Sequence, residues 1–280
     1  MMKLTLYDTI SLRCSRIVTR GYSTSFSLGI LMLGRKHRKA IYAIYGFVRL
    51  ADEIVDTFFD HQQKEMLDEF RHDTCMAIKN GISMNPVLHG FQWAVNRYRI
   101  DMEYIEAFLL SMEMDLQQTS HDEGSYNKYI YGSAEAVGLM CLRVFCHDDP
   151  GKFERLKEPA RKLGSAFQKV NFLRDIKSDF TERGRVYFPG VDFNNFRSED
   201  KKTIEKDIAE EFNQALTGIR GLDMGSRRGV YLAYSYYVAL LRKIRKTPAA
   251  AVTLQRFRIT DLRKILLLIR AVVYDVTGLI

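Results

Sequence analysis

Two short acidic segments, about 120 residues apart, constrain this chain more than any other feature. The first reads Tyr45-Gly-Phe-Val-Arg49-Leu-Ala-Asp52-Glu53-Ile-Val-Asp56. The second reads Gln168-Lys-Val-Asn171-Phe-Leu-Arg174-Asp175-Ile-Lys-Ser-Asp179. Each places two aspartates four residues apart beside an arginine, in a run of helical apolar periodicity without Pro or Gly between the acids. On a helix, residues i and i+4 face the same way, about 6 Å apart along the axis. Like charges at that spacing destabilise the helix unless something neutralises them. A divalent cation is the obvious candidate, and Mg²⁺ typically binds through one or two carboxylates plus substrate phosphates.

Helical geometry sharpens both segments. Tyr45, Arg49, Asp52 and Asp56 fall within a stripe of roughly 60°. Ile41, Ala43, Ile44, Phe47, Val48, Leu50, Ala51, Ile54 and Val55 cover most of the remaining circumference. A helix apolar nearly all round is buried, so its polar stripe must face a cavity, an ion or a polar partner. The competing reading is a buried ion-pair network among Arg49, Asp52 and Asp56. Gln168, Asn171, Asp175 and Asp179 lie within about 80°, with Arg174 at the rim. The other side carries Lys162, Lys169 and Lys177, a solvated face by the usual rule. Amide oxygens are hard ligands suited to Mg²⁺ or its waters. Here the competing reading is an acidic helix exterior. Just beyond, Arg183-Gly184-Arg185-Val-Tyr187-Phe-Pro189 offers two arginines that could clamp phosphate with bidentate forks, against a default of ordinary surface loop.

The 280 residues include only 5 Pro, and 46% are apolar, which favours an all-α fold. Periodicity predicts helices over roughly 5–20, 36–58, 62–80, 85–99, 101–119, 126–147, 152–181, 199–219, 227–246 and 260–276. Short connections suggest antiparallel helices in one bundle, a single domain over 1–280 whose core can hold inward-facing metal ligands. The net charge of +8 suits phosphates, anionic lipid or nucleic acid, but no basic run of five or more suggests a nucleic-acid arm. Cys14, Cys75, Cys141 and Cys146 lack zinc-ligand spacing and read as reduced core thiols of a cytoplasmic protein. Residues 1–20 do not read as a signal peptide. The apolar stretch from Arg263 to the C-terminus, broken by Arg270 and Asp275, is too short to span a bilayer. It reads as a last helix packed on the core, or as a peripheral contact with a membrane surface.

At these residues the chain resembles the squalene/phytoene synthase family, the head-to-head prenyl diphosphate synthases. The matching pieces are Ser23-Thr-Ser25-Phe26, Ile41 to Tyr45, Arg49-x-x-Asp52-Glu-x-x-Asp56, Met112-Glu-Met-Asp115-Leu, Tyr129 through Gly138-Leu-Met140, the second acidic segment, and Gly184-Arg185-Val-Tyr187-Phe-Pro189. They occur in family order and cover roughly 20–190; Gln255-Arg256-Phe-Arg258 matches more loosely. Within the family the pattern looks most like bacterial phytoene synthases. The resemblance implies an all-α isoprenoid-synthase fold with a central cavity. It implies that Asp52, Asp56, Asp175 and Asp179 hold Mg²⁺ (or Mn²⁺) bridging prenyl diphosphates. Arg49, Arg174, Arg185 and Arg256 would pair with diphosphate oxygens, and Ser23, Ser25 and Phe26 would also contact substrate. Tyr45, Tyr129 and Tyr187 would line the reacting end, supported by Asn171 and Gln168, while Ala134 and Gly138 leave room for prenyl tails. One departure stands out. Many relatives carry a basic residue where this chain has Thr24, and Arg35, Lys36 and Arg38 are nearby candidates to replace it.

The implied reaction joins two geranylgeranyl diphosphates through a cyclopropylcarbinyl diphosphate to phytoene, without NADPH. Two ionisations need a cationic site for the leaving groups and a dry aromatic pocket for the carbocations. The closest rival is squalene or dehydrosqualene formation from two C15 substrates. A non-catalytic relative on the same fold is a third reading, although all four aspartates and three of the flanking arginines remain. Head-to-tail prenyltransferases and terpene cyclases usually carry DDxxD, which this chain lacks. Ile30, Tyr42, Leu139 and Cys141 are the candidates to set tail length.

Overall fold

The computed structural model describes residues 5–278, apart from the side chains of residues 181 and 182. The described chain is helical as expected, with an isolated bridge between Ser120 and Val186 in place of any strand. In order the helices are α1 (Leu6–Tyr22), α2 (Thr24–Met32), α3 (Arg35–Asp56), α4 (Gln63–Asn80), α5 (Pro86–Tyr98), α6 (Met102–Gln117) and α7 (Glu123–Ile130). After them come α8 (Ala136–Phe145), α9 (Pro150–Ile176), α10 (Ser198–Gly221), α11 (Met224–Arg245), the short α12 (Ala249–Val252) and α13 (Asp261–Val276). None is long and apolar enough to cross a membrane.

The boundaries follow local chemistry. Thr5 and Asp8 form a reciprocal capping box that starts α1. Asn85 accepts from the amides of Val87 and Leu88, and Pro86 sits in the first turn, where a missing N–H costs nothing. Gly81 takes the left-handed conformation (φ 69°) that closes α4. The sequence pattern does not suggest α2. Its residues Ser25-Phe-Ser-Leu-Gly-Ile-Leu-Met32 carry apolar groups on every side, so there is no 3.6-residue contrast to read. It exists because α11 and α3 cover it.

The expected 126–147 helix is α7 and α8 joined by a π turn, Tyr131–Glu135. Gly132 in this turn lies so close to α6 that a Cβ there would stand 2.2 Å from the Ala107 carbonyl oxygen. A second π turn, Lys177–Glu182, extends α9. Such turns add a residue to the helical circuit and re-aim side chains, and they often occur at functional sites.

The core is built around α3, which packs on α1, α5, α6 and α8. Phe47 is fully buried and stacks on Phe91 at 3.8 Å, with Phe108 at 5.5 Å. Burial thus occupies one side of α3, and the polar stripe is left facing an interior cavity, which is the geometry the apolar circumference demanded.

Candidate active site

The cavity has a volume of about 1340 Å³ and is walled by α2, α3, α6, α7–α8, α9, α10, α11 and the segment leading into α13. Its lining changes character along its length. On α9 the lining residues run Leu156, Pro159, Ala160, Leu163, Gly164 and Phe167, then Gln168, Asn171, Arg174 and Asp175, with Ser178 and Asp179 on the π turn. At 1.5 Å per residue this is a path of roughly 30 Å from an apolar end to a charged one. On α3 the same gradient runs from Ile41 and Ile44 to Arg49, Asp52 and Asp56. The α7–α8 unit runs the other way, from Tyr129 past Ala134 and Gly138 to Phe145.

At the charged end the two acidic segments meet. Arg183 Nη1 lies 3.1 Å from Asp179 Oδ1 and 3.8 Å from Asp56 Oδ1, bridging the two helices. Arg174 donates Nε to Asp175 Oδ2 (2.9 Å), and Arg256 donates Nε to the other oxygen, Oδ1 (2.7 Å). Arg49 pairs with the buried Glu53 and, at 3.7 Å, with Asp52. The carboxylates still outweigh their local compensation. Burial, then the neighbouring Asp56 charge, pushes the Asp52 carboxyl up to about 8. Burial and Asp175 push Asp179 up to about 7. Desolvation and like charge both disfavour the ionised form.

Among the described residues no three acid, cysteine or histidine side chains converge on one point. The aspartates stand instead as two facing pairs with a guanidinium between them. This donor set fits Mg²⁺, which takes one or two carboxylates per ion and completes its octahedron with waters and phosphate oxygens. Asp52, Asp56, Asp175 and Asp179 could hold it, and a cation there reverses the local pKa logic. A pH prediction follows for the metal-free protein. Because Asp52 and Asp179 have folded pKa values above their unfolded ones, the folded state binds more protons. Their contribution to stability is therefore full below pH 4 and lost as pH rises to about 8. Mg²⁺ should accordingly raise the melting temperature more at pH 8.5 than at pH 5.5, where protons compete with it. An equal shift at both values, in thermal melts with and without Mg²⁺, would contradict the assignment.

Asp115, to which helical spacing alone gives no role, organises the adjoining wall. Its carboxylate accepts from Tyr129 Oη (2.8 Å) and Tyr187 Oη (3.3 Å), and its carbonyl accepts from Arg185 (3.1 Å). Burial raises this carboxyl to about 6, with Arg185 pulling it down. Phe172 stacks on Tyr187 at 4.0 Å. Farther along, Tyr237 donates to Asn171 Oδ1 (3.2 Å) and stacks on Phe167 at 4.0 Å. Asn171 reaches Gln168 at 3.4 Å. Phe26 stands 5.6 Å from Tyr45, whose hydroxyl burial and Asp52 push up to about 12.

Ser23, Ser25, Phe26, Tyr45, Arg49, Tyr129, Ala134, Gly138, Gln168, Asn171, Arg174, Tyr187 and Arg256 all line the cavity with the four aspartates. Ser23 also caps α2 by accepting from the Phe26 amide. Arg185 does not line it. Gly184 turns with φ 66°, which puts the two flanking arginines to different uses. Arg183 faces the cavity, while Arg185 is buried behind it and braces Asp56 (2.8 Å), the Val55 carbonyl and Asp115. Of the tail-length candidates, Ile30 and Cys141 line the cavity; Tyr42 and Leu139 are buried outside it. Arg35, Lys36 and Arg38 are likewise absent from the lining. The cation beside Thr24 is Lys264 of α13, whose ammonium donates to Thr24 Oγ1 at 2.9 Å. No short-range signal connects residues 240 positions apart.

A 4,4'-diapophytoene synthase of Staphylococcus haemolyticus is 26% identical over 256 residues, 83% of this chain and 86% of that protein. The chloroplastic phytoene synthase 1 of Zea mays is 27% identical over 260 residues, and the match spans 60% of its length. A presqualene diphosphate synthase of Zymomonas mobilis is 36% identical over 176 residues, 61% of this chain and 58% of that protein. Among solved structures, a dehydrosqualene synthase in complex with ligand superposes with a TM-score of 0.83 at 19% identity, over 95% of this chain and 97% of that one. A squalene synthase from Alicyclobacillus acidocaldarius gives 0.75 at 20% identity, over 91% of this chain and 98% of that one. The squalene/phytoene synthase family profile matches residues 19–263, and the chain belongs to that family of head-to-head prenyl-condensing enzymes.

Proposed function

We propose that this protein is a Mg²⁺-dependent phytoene synthase that joins two geranylgeranyl diphosphates, through prephytoene diphosphate, to phytoene. The observation that carries the reading is the lining gradient: a path of roughly 30 Å along α9 that runs from an apolar end to a charged end built from two facing aspartate pairs. That is the negative image of a diphosphate with a long hydrocarbon tail. Phytoene synthases recur among the relatives, from maize to Synechocystis, which favours the C20 substrate.

In this reading Arg49, Arg174, Arg183 and Arg256 take diphosphate oxygens as bidentate forks, and Lys264 serves a second headgroup beside Thr24. Mg²⁺ held by the four aspartates would supply Lewis-acid neutralisation of the leaving diphosphate. Arg185 carries no substrate load; it holds Asp56 and Asp115 in register. Asp115 fixes the Tyr129 and Tyr187 hydroxyls and so holds both rings in the cavity wall. Aromatic faces stabilise positive charge, and a wall of Phe172, Tyr129 and Tyr187 excludes the water that would quench it. Asn171, pinned by Tyr237, holds its amide at the boundary between headgroup and tail. No step requires a reductant, so NADPH is not expected.

The C15 reading, to dehydrosqualene or squalene, is favoured by the staphylococcal relative, which aligns over 86% of its length. Tail length separates the two. Cys141 lies seven residues beyond Ala134 toward the apolar end, about 10 Å deeper. Cys141→Phe should shorten the tunnel there. With competing C20 and C15 diphosphates, the variant is expected to shift the product ratio toward C30 by about tenfold or more. An unchanged ratio would mean the tails do not reach Cys141.

A further inference from the structure

We propose that the outer face of α13 docks on an anionic phospholipid bilayer and holds the cavity mouth against it. On α13, Leu262, Ile265, Leu266, Ile269, Val273 and Val276 are between 47% and 73% exposed. At 100° per residue they fall within an arc of about 100°, a continuous apolar stripe along the whole helix. Single exposed aliphatics are ordinary; six aligned on one helix are an interaction surface.

This stripe cannot turn inward. The opposite face of α13 is fixed by Ala271, fully buried, and by Asp275, whose carboxylate takes Arg227 (3.0 Å) and Arg228 (2.8 Å) of α11. Arg263 and Arg270, both exposed, flank the stripe along one shoulder. The pattern is that of a helix lying in a lipid interface, with aliphatics in the acyl boundary and arginines at the phosphates. Charge also argues against a second copy as the occupant. Two such stripes packed antiparallel would bring the Arg263 and Arg270 shoulders together.

Position gives the face its purpose. Thr260, Asp261 and Lys264, at the start of α13, belong to the cavity lining, and the exposed Arg256 and Arg258 mark the mouth beside them. The apolar stripe therefore begins at the rim of the cavity. Resting on the proposed function, this places a site for lipid-tailed substrates and a hydrocarbon product next to the phase in which both dissolve.

Flotation of the full chain with vesicles tests the proposal, without substrate or Mg²⁺, so that its failure is separate from failure of the functional reading. The protein is expected to float with phosphatidylcholine vesicles containing about 30% phosphatidylglycerol, and much less with phosphatidylcholine alone. Leu266→Ser/Ile269→Ser/Val273→Ser should lower the floated fraction by about tenfold or more, with helical signal unchanged. Should that variant fail to fold, Ile269→Trp supplies a second readout. Its fluorescence should shift to the blue with anionic vesicles and be quenched by brominated lipid, beyond any change in the wild-type protein. Wild-type protein that stays at the bottom, a triple variant that floats as well as wild type, or an Ile269→Trp variant whose fluorescence is blind to vesicles would overturn the proposal. So would a wild-type dimer in light scattering that the triple variant dissolves, since the occupant would then be a second copy.

Discussion

Asp52→Asn is expected to lower turnover by about 10³-fold while leaving the melting temperature at pH 8 equal to wild type or above it. The two effects have one cause. Asp52 sits among Asp56, Asp115 and Glu53, and burial and like charge already push its carboxyl up to about 8. Removing the charge relieves repulsion in the resting protein. It also removes the negative charge that would draw cations to the leaving diphosphate, and ionisation chemistry depends above all on such electrostatic stabilisation. A residue kept for stability would show the opposite pattern. Steady-state diphosphate release and a thermal melt of the same preparation make the test. Full activity in the variant, or a melting temperature lowered by many degrees, would remove Asp52 from the catalytic centre.

The largest loss of stability is expected from Asp115→Ala, about 3–5 kcal/mol. The Asp115 side chain is only 5% exposed and receives two tyrosine hydroxyls, with the Arg185 guanidinium 3.9 Å away. Without the carboxylate, the buried Tyr129 and Tyr187 lose the acceptor that both hydroxyls share. Arg185 keeps only Asp56 and two backbone carbonyls. Breaking a buried charged network by removing one member leaves the rest uncompensated, which costs far more than losing a surface pair. Urea unfolding should show the midpoint falling with little change in slope. A loss under about 1 kcal/mol would show that Asp115 is solvated or neutral and does not hold the wall.

How much of this is legible in the sequence depends on the range of the interaction. The apolar circumference around Asp52 and Asp56 forces a buried helix with a polar stripe, and α3 is that helix. The i,i+4 acids of the second segment are equally clear, because helical spacing is local. The two π turns are not, since inserting a residue into the helical circuit leaves no periodic mark; yet Ser133, Ala134 and Asp179 reach the cavity from them. Nor can the division of labour between Arg183 and Arg185 be read, because it rests on the positive φ of Gly184 and on Asp115, distant in sequence. The contact of Lys264 with Thr24 lies beyond any pattern argument: α13 must first dock on α11 before its ammonium can approach α2. Helix α2 itself is hidden by being apolar all round. Local rules expose the charged chemistry, and tertiary packing decides which residues brace it.

The measurement closest to the central claim is a product analysis. Purified protein would be incubated with Mg²⁺ and geranylgeranyl diphosphate, without NADPH, while hydrocarbon mass and released diphosphate are followed together. The account predicts a C40 hydrocarbon with two diphosphates released for each molecule formed. Folded protein that releases no diphosphate and forms no hydrocarbon from this substrate would contradict it.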